Sequence, residues 1–157
     1  MKLRTFAVVV GLFFVAFSCT PKTEQSEESK IEDKEVPQEQ RELMALYDEV
    51  IDIHDEVMPK MNDLMQAKGA LQEKLDTLKA NDPNNVAIPE LVESIKSLAD
   101  ADEAMMDWMR NFKPQDDVND HNVALNYYKE EKEKIQAVKD QMLTALEEAQ
   151  RITKKEE

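Results

Sequence analysis

From residue 43 to residue 78 an apolar side chain returns at every seventh position without a gap: Leu43, Val50, Val57, Leu64, Leu71 and Leu78. A second line holds Leu46, Ile53, Met61, Ala67 and Leu75, with Met61 and Leu75 one place late. Seven residues are close to two helical turns, so this repeat gathers apolar side chains into one stripe that must be buried against other helices. The composition agrees. Only Gly11 and Gly69 are glycines, too few for the tight turns of an all-β fold. Glu, Lys, Leu, Met, Ala and Gln predominate, and these residues favour helix.

The pattern predicts a first helix over 39–80, ended by Asp82-Pro83-Asn84-Asn85. A second helix starts near Pro89, because proline is tolerated in a first turn. Its stripe is Leu91, Val92, Ile95, Leu98, Ala101, Met105, Trp108, Met109 and Phe112. Lys113-Pro114 ends it, since the residue before a proline avoids helical angles. Asp116-Asp117-Val118-Asn119-Asp120 is a turn rich in capping side chains. The third helix then runs to about Thr153 with Val123, Tyr127, Tyr128, Ile135, Val138, Met142, Ala145, Leu146, Ala149 and Ile152 as its stripe. Short connections make neighbours antiparallel, so the expected fold is an all-α, antiparallel three-helix bundle over residues 39–157.

The helix lengths conflict. Helix one would span about 63 Å and helix two only about 36 Å at 1.5 Å per residue. Either helix one projects past helix two and pairs with helix three alone, or it bends. Pro59 lies at its middle. Proline lacks an N–H and leaves the carbonyl of Asp55 without its usual donor, so a kink is expected at residues 55–59. The repeat keeps phase across that point, which argues against a full break. Gly69 falls on the outer face.

The beginning of the chain has a different grammar. Lys2 and Arg4 precede an apolar run from Phe6 to Phe17 that only Gly11 interrupts. This is too short for a membrane-spanning helix, which needs about 20 residues. It suits the h-region of a secretory signal. Ala16-Phe17-Ser18 leads into Cys19, the one cysteine of the chain. Small residues at 16 and 18 suit a lipoprotein signal peptidase, although Phe17 is bulkier than usual there. The expected organisation is a signal peptide over 1–18, a lipidated tether over 19–38 and the bundle over 39–157. Cys19 would carry a covalent lipid such as palmitate. Two or three acyl chains hold a protein on a membrane, because each buried CH₂ contributes about 0.8 kcal/mol. The tether is polar and charged, with too little apolar surface to offset the entropy of ordering it.

Removing residues 1–18 takes away two basic residues and no acidic ones, so the net charge moves from −14 to −16. Such acidity disfavours nucleic acid, whose phosphates demand Lys and Arg. It also disfavours lying flat on anionic lipid. It leaves room for a basic partner or loosely held cations.

Two constellations carry possible chemistry. His54, Met58, Met61 and Met65 stand at i, i+4, i+7 and i+11, on one helical face. Thioethers with an imidazole form a soft ligand set suited to Cu(I), so copper is the alternative cofactor to none. The competing reading is packing, since methionine fills irregular gaps in cores. Met105, Trp108, Met109 and Phe112 form the second group, either a partner-docking patch or the core at the end of helix two. Catalytic sets are missing. Ile51 and Val118 stand three residues before His54 and His121, so no Glu-x-x-His pair exists for a di-iron bundle. There is no His-Glu-x-x-His, phosphate loop or Gly-x-Ser-x-Gly. His121 sits in a capping segment, where a solvated side chain is expected.

The segments from Ile53 to Met61 and from Met105 to Phe112 resemble a group of small Bacteroidetes-type lipoproteins of coiled-coil character. Automatic labels often call these "viral A-type inclusion protein". The resemblance covers about residues 40–150. It implies an outer-membrane lipoprotein and assigns no activity or residue role. Acidic residues close behind the cysteine mark surface export in such bacteria; here they begin at Glu24 and thicken at Glu27-Glu28. The expectation is thus a non-enzymatic envelope lipoprotein. Its bundle would bind another envelope protein or itself, or act as a spacer, with soft-metal binding as the alternative.

Overall fold

The computed structural model describes residues 36–115 and 119–154. The signal segment, Cys19 and nearly all of the expected tether lie outside the described residues. The described chain is helical, with no strand among its residues: α1 Gln38–Val57, α2 Lys60–Asn81, α3 Ile88–Asn111 and α4 His121–Lys154. α1 and α2 together are the long, bent first helix of an up-down-up three-helix bundle. None of these helices is long and apolar enough to cross a membrane.

The bend falls at Met58 and Pro59. Both keep helical angles, φ −53° and ψ −40° at Met58, φ −60° and ψ −24° at Pro59. The chain therefore deflects and continues. Met58 N–H still donates to the His54 carbonyl at 2.8 Å, and Met61 N–H closes a tighter turn on the Met58 carbonyl at 3.2 Å. Proline's missing proton confines the disruption to one turn. The seven-residue line survives it: Val50, Val57, Leu64 and Leu71 are almost wholly buried on either side. Burying each such side chain stabilises the fold by about 1.5–3 kcal/mol.

The other two helices carry seams of the same kind. In α3 the buried line is Leu91, Ser94, Leu98, Ala101, Met105 and Trp108, at alternating spacings of three and four. In α4 it is Ala124, Tyr128, Glu131, Ile135, Val138, Met142, Ala145, Ala149 and Ile152. Three expectations need correction. Val123 is exposed and its neighbour Ala124 takes the seam; Val92 is exposed and Leu91 is buried. Polar Ser94 and Glu131, absent from the apolar stripes, are both buried. Seam phase is set by the partner helices, and the partners select the position whatever residue stands there.

An up-down-up path makes α4 parallel to α1 and α2. Lys132 Nζ reaches Glu49 at 2.5 Å and Lys139 Nζ reaches Glu56 at 2.6 Å. Both pairs are separated by 83 residues, one heptad apart along the interface. Beyond the bend, Lys60 and Ala67 share a groove with Leu143 and Gln150 at that same separation. α4 runs antiparallel to α3: Arg151 pairs with Glu90 at one end, and Tyr127 meets Phe112 with ring centroids 6.3 Å apart at the other. α1 packs chiefly on α4 and α2 chiefly on α3. The length conflict is resolved because α4, with its 34 residues, spans the bend.

Local chemistry sets the ends. Asp120 caps α4, its Oδ1 accepting from the N–H groups of Asn122 at 3.0 Å and Val123 at 3.3 Å. Pro89 sits in the first turn of α3. Asn85 Oδ1 accepts from Ala87 N–H in the turn before it. Lys113 N–H donates to the Tyr127 hydroxyl and Gln115 N–H to the Tyr128 hydroxyl, each at 2.8 Å, which fastens the segment after α3 onto α4.

Candidate functional site

Three helices leave three grooves. The groove between α1–α2 and α4 is bridged by the Glu49–Lys132 and Glu56–Lys139 pairs. The groove between α3 and α4 is lined by Ser97, Asp100, Gln141, Thr144, Ala145 and Arg151. Arg151 joins Glu90 on α3 to Glu148 on its own helix. Its guanidinium hydrogen-bonds Glu148 and holds that carboxyl below the usual carboxylate range, although burial opposes this slightly.

The groove between α1–α2 and α3 has another character. Its floor at one end is aromatic. Trp108 stacks on Phe112 with centroids 4.8 Å apart, His54 lies 5.5 Å from Trp108, and Tyr47 meets Phe112 at 6.4 Å and Tyr128 at 5.7 Å. Tyr127 adjoins Tyr128 at 5.5 Å. Every aromatic residue after Cys19 therefore belongs to one cluster. Such pairs each add about 0.5–1.5 kcal/mol beyond burial. Trp108 Nε1 is buried with no hydrogen-bond partner among the described residues.

His54 faces α3 at Trp108, Tyr47 meets Phe112 just past the end of α3 and Tyr128 of α4, and Glu49 and Glu56 face α4. One step further round from Tyr47 and His54 stand Met44, Ile51, Met58 and Met65 at seven-residue intervals, with Met44 in a pocket it shares with Gln115 and with Tyr128 of α4. On α3 the edge away from α4 carries Val92, Ala99 and Met106, again seven apart. These edges are open to solvent: Met44 is 54% exposed, Met58 39%, Met65 62%, Val92 45% and Met106 38%. Between edge and seam on α3 lies the line Ile95, Asp102, Met109. Ile95 and Met109 pack on the core, and half-buried Asp102 has no ion pair among the described residues.

The four residues of the soft-ligand stripe meet different surroundings. His54 leans on Trp108, and its Nδ1 lies 2.8 Å from Asp55 Oδ1. Met61 packs against the core, while Met58 and Met65 face solvent. Among the described residues no group of three or more His, Cys, Asp or Glu side chains is placed to hold a metal ion. The second expected group lies where its core alternative put it. Met105 is fully buried and Trp108 nearly so. Met109 and Phe112 are partly buried against the core. Those four lie beneath the surface or partly so, and the exposed large apolar side chains are Met44, Met58, Met65, Val92 and Met106 along these edges, with Val36, Val86 and Val123 elsewhere. The signal for that edge was present as a second seven-residue line, Met44-Ile51-Met58-Met65, one place after the seam. His121 is half-buried at the start of α4.

Comparison with protein-family models, with curated proteins and with solved structures gives no match for this chain.

Proposed function

We propose that this protein is a non-enzymatic, lipid-anchored envelope lipoprotein whose helical bundle docks another protein along the groove between α1–α2 and α3. The observation that supports docking is the paired line of solvent-facing methionines and valine on the two edges of that groove. Contiguous exposed apolar surface marks interaction sites. Flexible thioethers suit a surface that must fit a partner's side chains. The anchor rests on the signal-like start and on Cys19, and an outer-membrane address rests on the resemblance given above. Two measurements test the reading. Cells fed labelled palmitate should label this protein and should not label Cys19→Ala. Photo-methionine incorporated in vivo should crosslink the chain to another envelope protein; a lipid-labelled chain that yields no crosslink would refute docking and leave a spacer.

A second reading draws on the accessible sulfurs of Met58 and Met65 beside His54. It is a soft-metal site for Cu(I). Titration against a competing chelator tests it: binding weaker than micromolar, or unchanged in His54→Ala/Met58→Leu, removes it.

A further inference from the structure

We infer that the occupant of the α1–α2/α3 groove is a basic amphipathic helix of a partner protein, laid in as a fourth helix with a Lys or Arg directed at Asp102. This rests on the docking reading above and names the partner's chemistry. The groove lies between two roughly antiparallel helices with apolar edges, which is the shape that accepts a helix presenting apolar side chains at i, i+3, i+4 and i+7. The heptad spacing of Met44, Ile51, Met58 and Met65 on one edge, and of Val92, Ala99 and Met106 on the other, repeats at the interval such a helix would present.

Charge favours a basic partner at the Asp102 position, while half-buried Lys68 on α2, seven residues after Met61 and also without an ion pair among the described residues, stands further along the same line. The basic side chains on the outer face of α3 are already engaged. Lys96 bonds Asp100 at 2.5 Å, and Arg110 is held by Glu103 at 2.6 Å and by Asp107. Asp102 stands half-buried between Ile95 and Met109 with no such partner, and Asp48 on the outer side of the α1 edge has none among the described residues. A carboxylate set in an apolar wall gains most from an incoming cation, because a charged hydrogen bond made away from water is among the stronger contacts. A second copy of the chain would bring its own net charge of −14 to the same place, and like charges across an interface oppose association.

The test uses an 18-residue Leu/Lys amphipathic helical peptide and its Leu/Glu counterpart, each titrated into full chain labelled at methionine methyl carbons. The expected result is saturable binding of the Leu/Lys peptide, with methyl shifts at Met44, Met58, Met65 and Met106 and none at buried Met142. The Leu/Glu peptide should bind at least tenfold more weakly. Met58→Gln/Met65→Gln/Met106→Gln should weaken the Leu/Lys complex at least tenfold, and Asp102→Asn severalfold. Asp102→Asn keeps the side chain's size, so it remains informative if the triple variant does not fold. Equal binding of the two peptides, shifts confined to other methionines, or sedimentation showing the groove closed by a second copy would each overturn the inference. Photo-methionine crosslinks persisting in cells beside a failed peptide titration would retain docking and discard only the basic helix.

Discussion

The two sides of the first helix use the same heptad repeat for different ends. Towards α4 the interface is set in register: Glu49 and Glu56 meet Lys132 and Lys139 at one constant separation, and that register continues past Pro59 through the Lys60–Leu143 and Ala67–Gln150 groove. Towards α3 the packing is aromatic at one end, and the outer edge keeps its methionines in solvent. A closed side needs flanking polar residues that can reach across to a partner. An open side shows where a helix has apolar positions to spare. The contrast separates residues that hold the bundle together from residues that it displays.

The sharpest way to break the contrast is to truncate neighbours on the two sides. Leu64→Ala removes a buried seam side chain and should destabilise by about 2–5 kcal/mol in denaturant unfolding. Met65→Ala, the next residue and exposed, should stay within about 0.5 kcal/mol. Comparable losses would mean that the edge is core.

A smaller effect with the opposite sign is expected at Glu131. This carboxylate lies in the α4 seam with only 5% exposure and pairs with exposed Lys134 at 2.8 Å. Glu131→Leu should raise stability by about 1 kcal/mol or more, because replacing a buried ionic group by an apolar one of similar volume is often stabilising. A lower midpoint with an unchanged denaturant slope would contradict this.

Removing both register pairs, Lys132→Ala with Lys139→Ala, should cost about 1 kcal/mol in total, since exposed pairs are worth about 0.2–1 kcal/mol each. Most of that difference should vanish in 1 M salt, where screening acts within about 3 Å. A loss independent of salt would show that the lysine stems, not their charges, do the holding.

The least effect concerns acid. Glu148 is held below the ordinary carboxylate range mainly by its hydrogen bond to Arg151. Its contribution is present above the unfolded value of about 4.3 and fades as pH falls through the lower folded value. Arg151→Gln should therefore shift the acid-unfolding midpoint slightly upward in pH. An unmoved midpoint would show that solvent already screens this pair.

Much of the fold was legible along the chain, and the reasons are local. Val50, Val57, Leu64 and Leu71 announced the first seam because apolar residues at heptad spacing have no solvated alternative. Pro59 announced the bend because its missing N–H acts within one turn. The candidate site was legible only in fragments. Met58 and Met65 were singled out as ligands and Trp108 as a docking residue. The structure buries Trp108, in line with the core alternative, and leaves Met58 and Met65 exposed. Met44 and Met106 needed a view of both helices at once, since an edge exists only where two helices face each other.

Sequence alone determined that this chain makes helices, where they begin and end, and where the first one bends. Those features follow from the period of apolar residues, from caps and from prolines, each acting over a few residues. Tertiary structure decided which face of each helix is buried: Leu91 over Val92, Ala124 over Val123, and Ser94 and Glu131 within seams. It also decided that the aromatic residues gather in one cluster beneath an open methionine edge. A helix surface is continuous, and only contact with particular neighbours divides it into inside and outside.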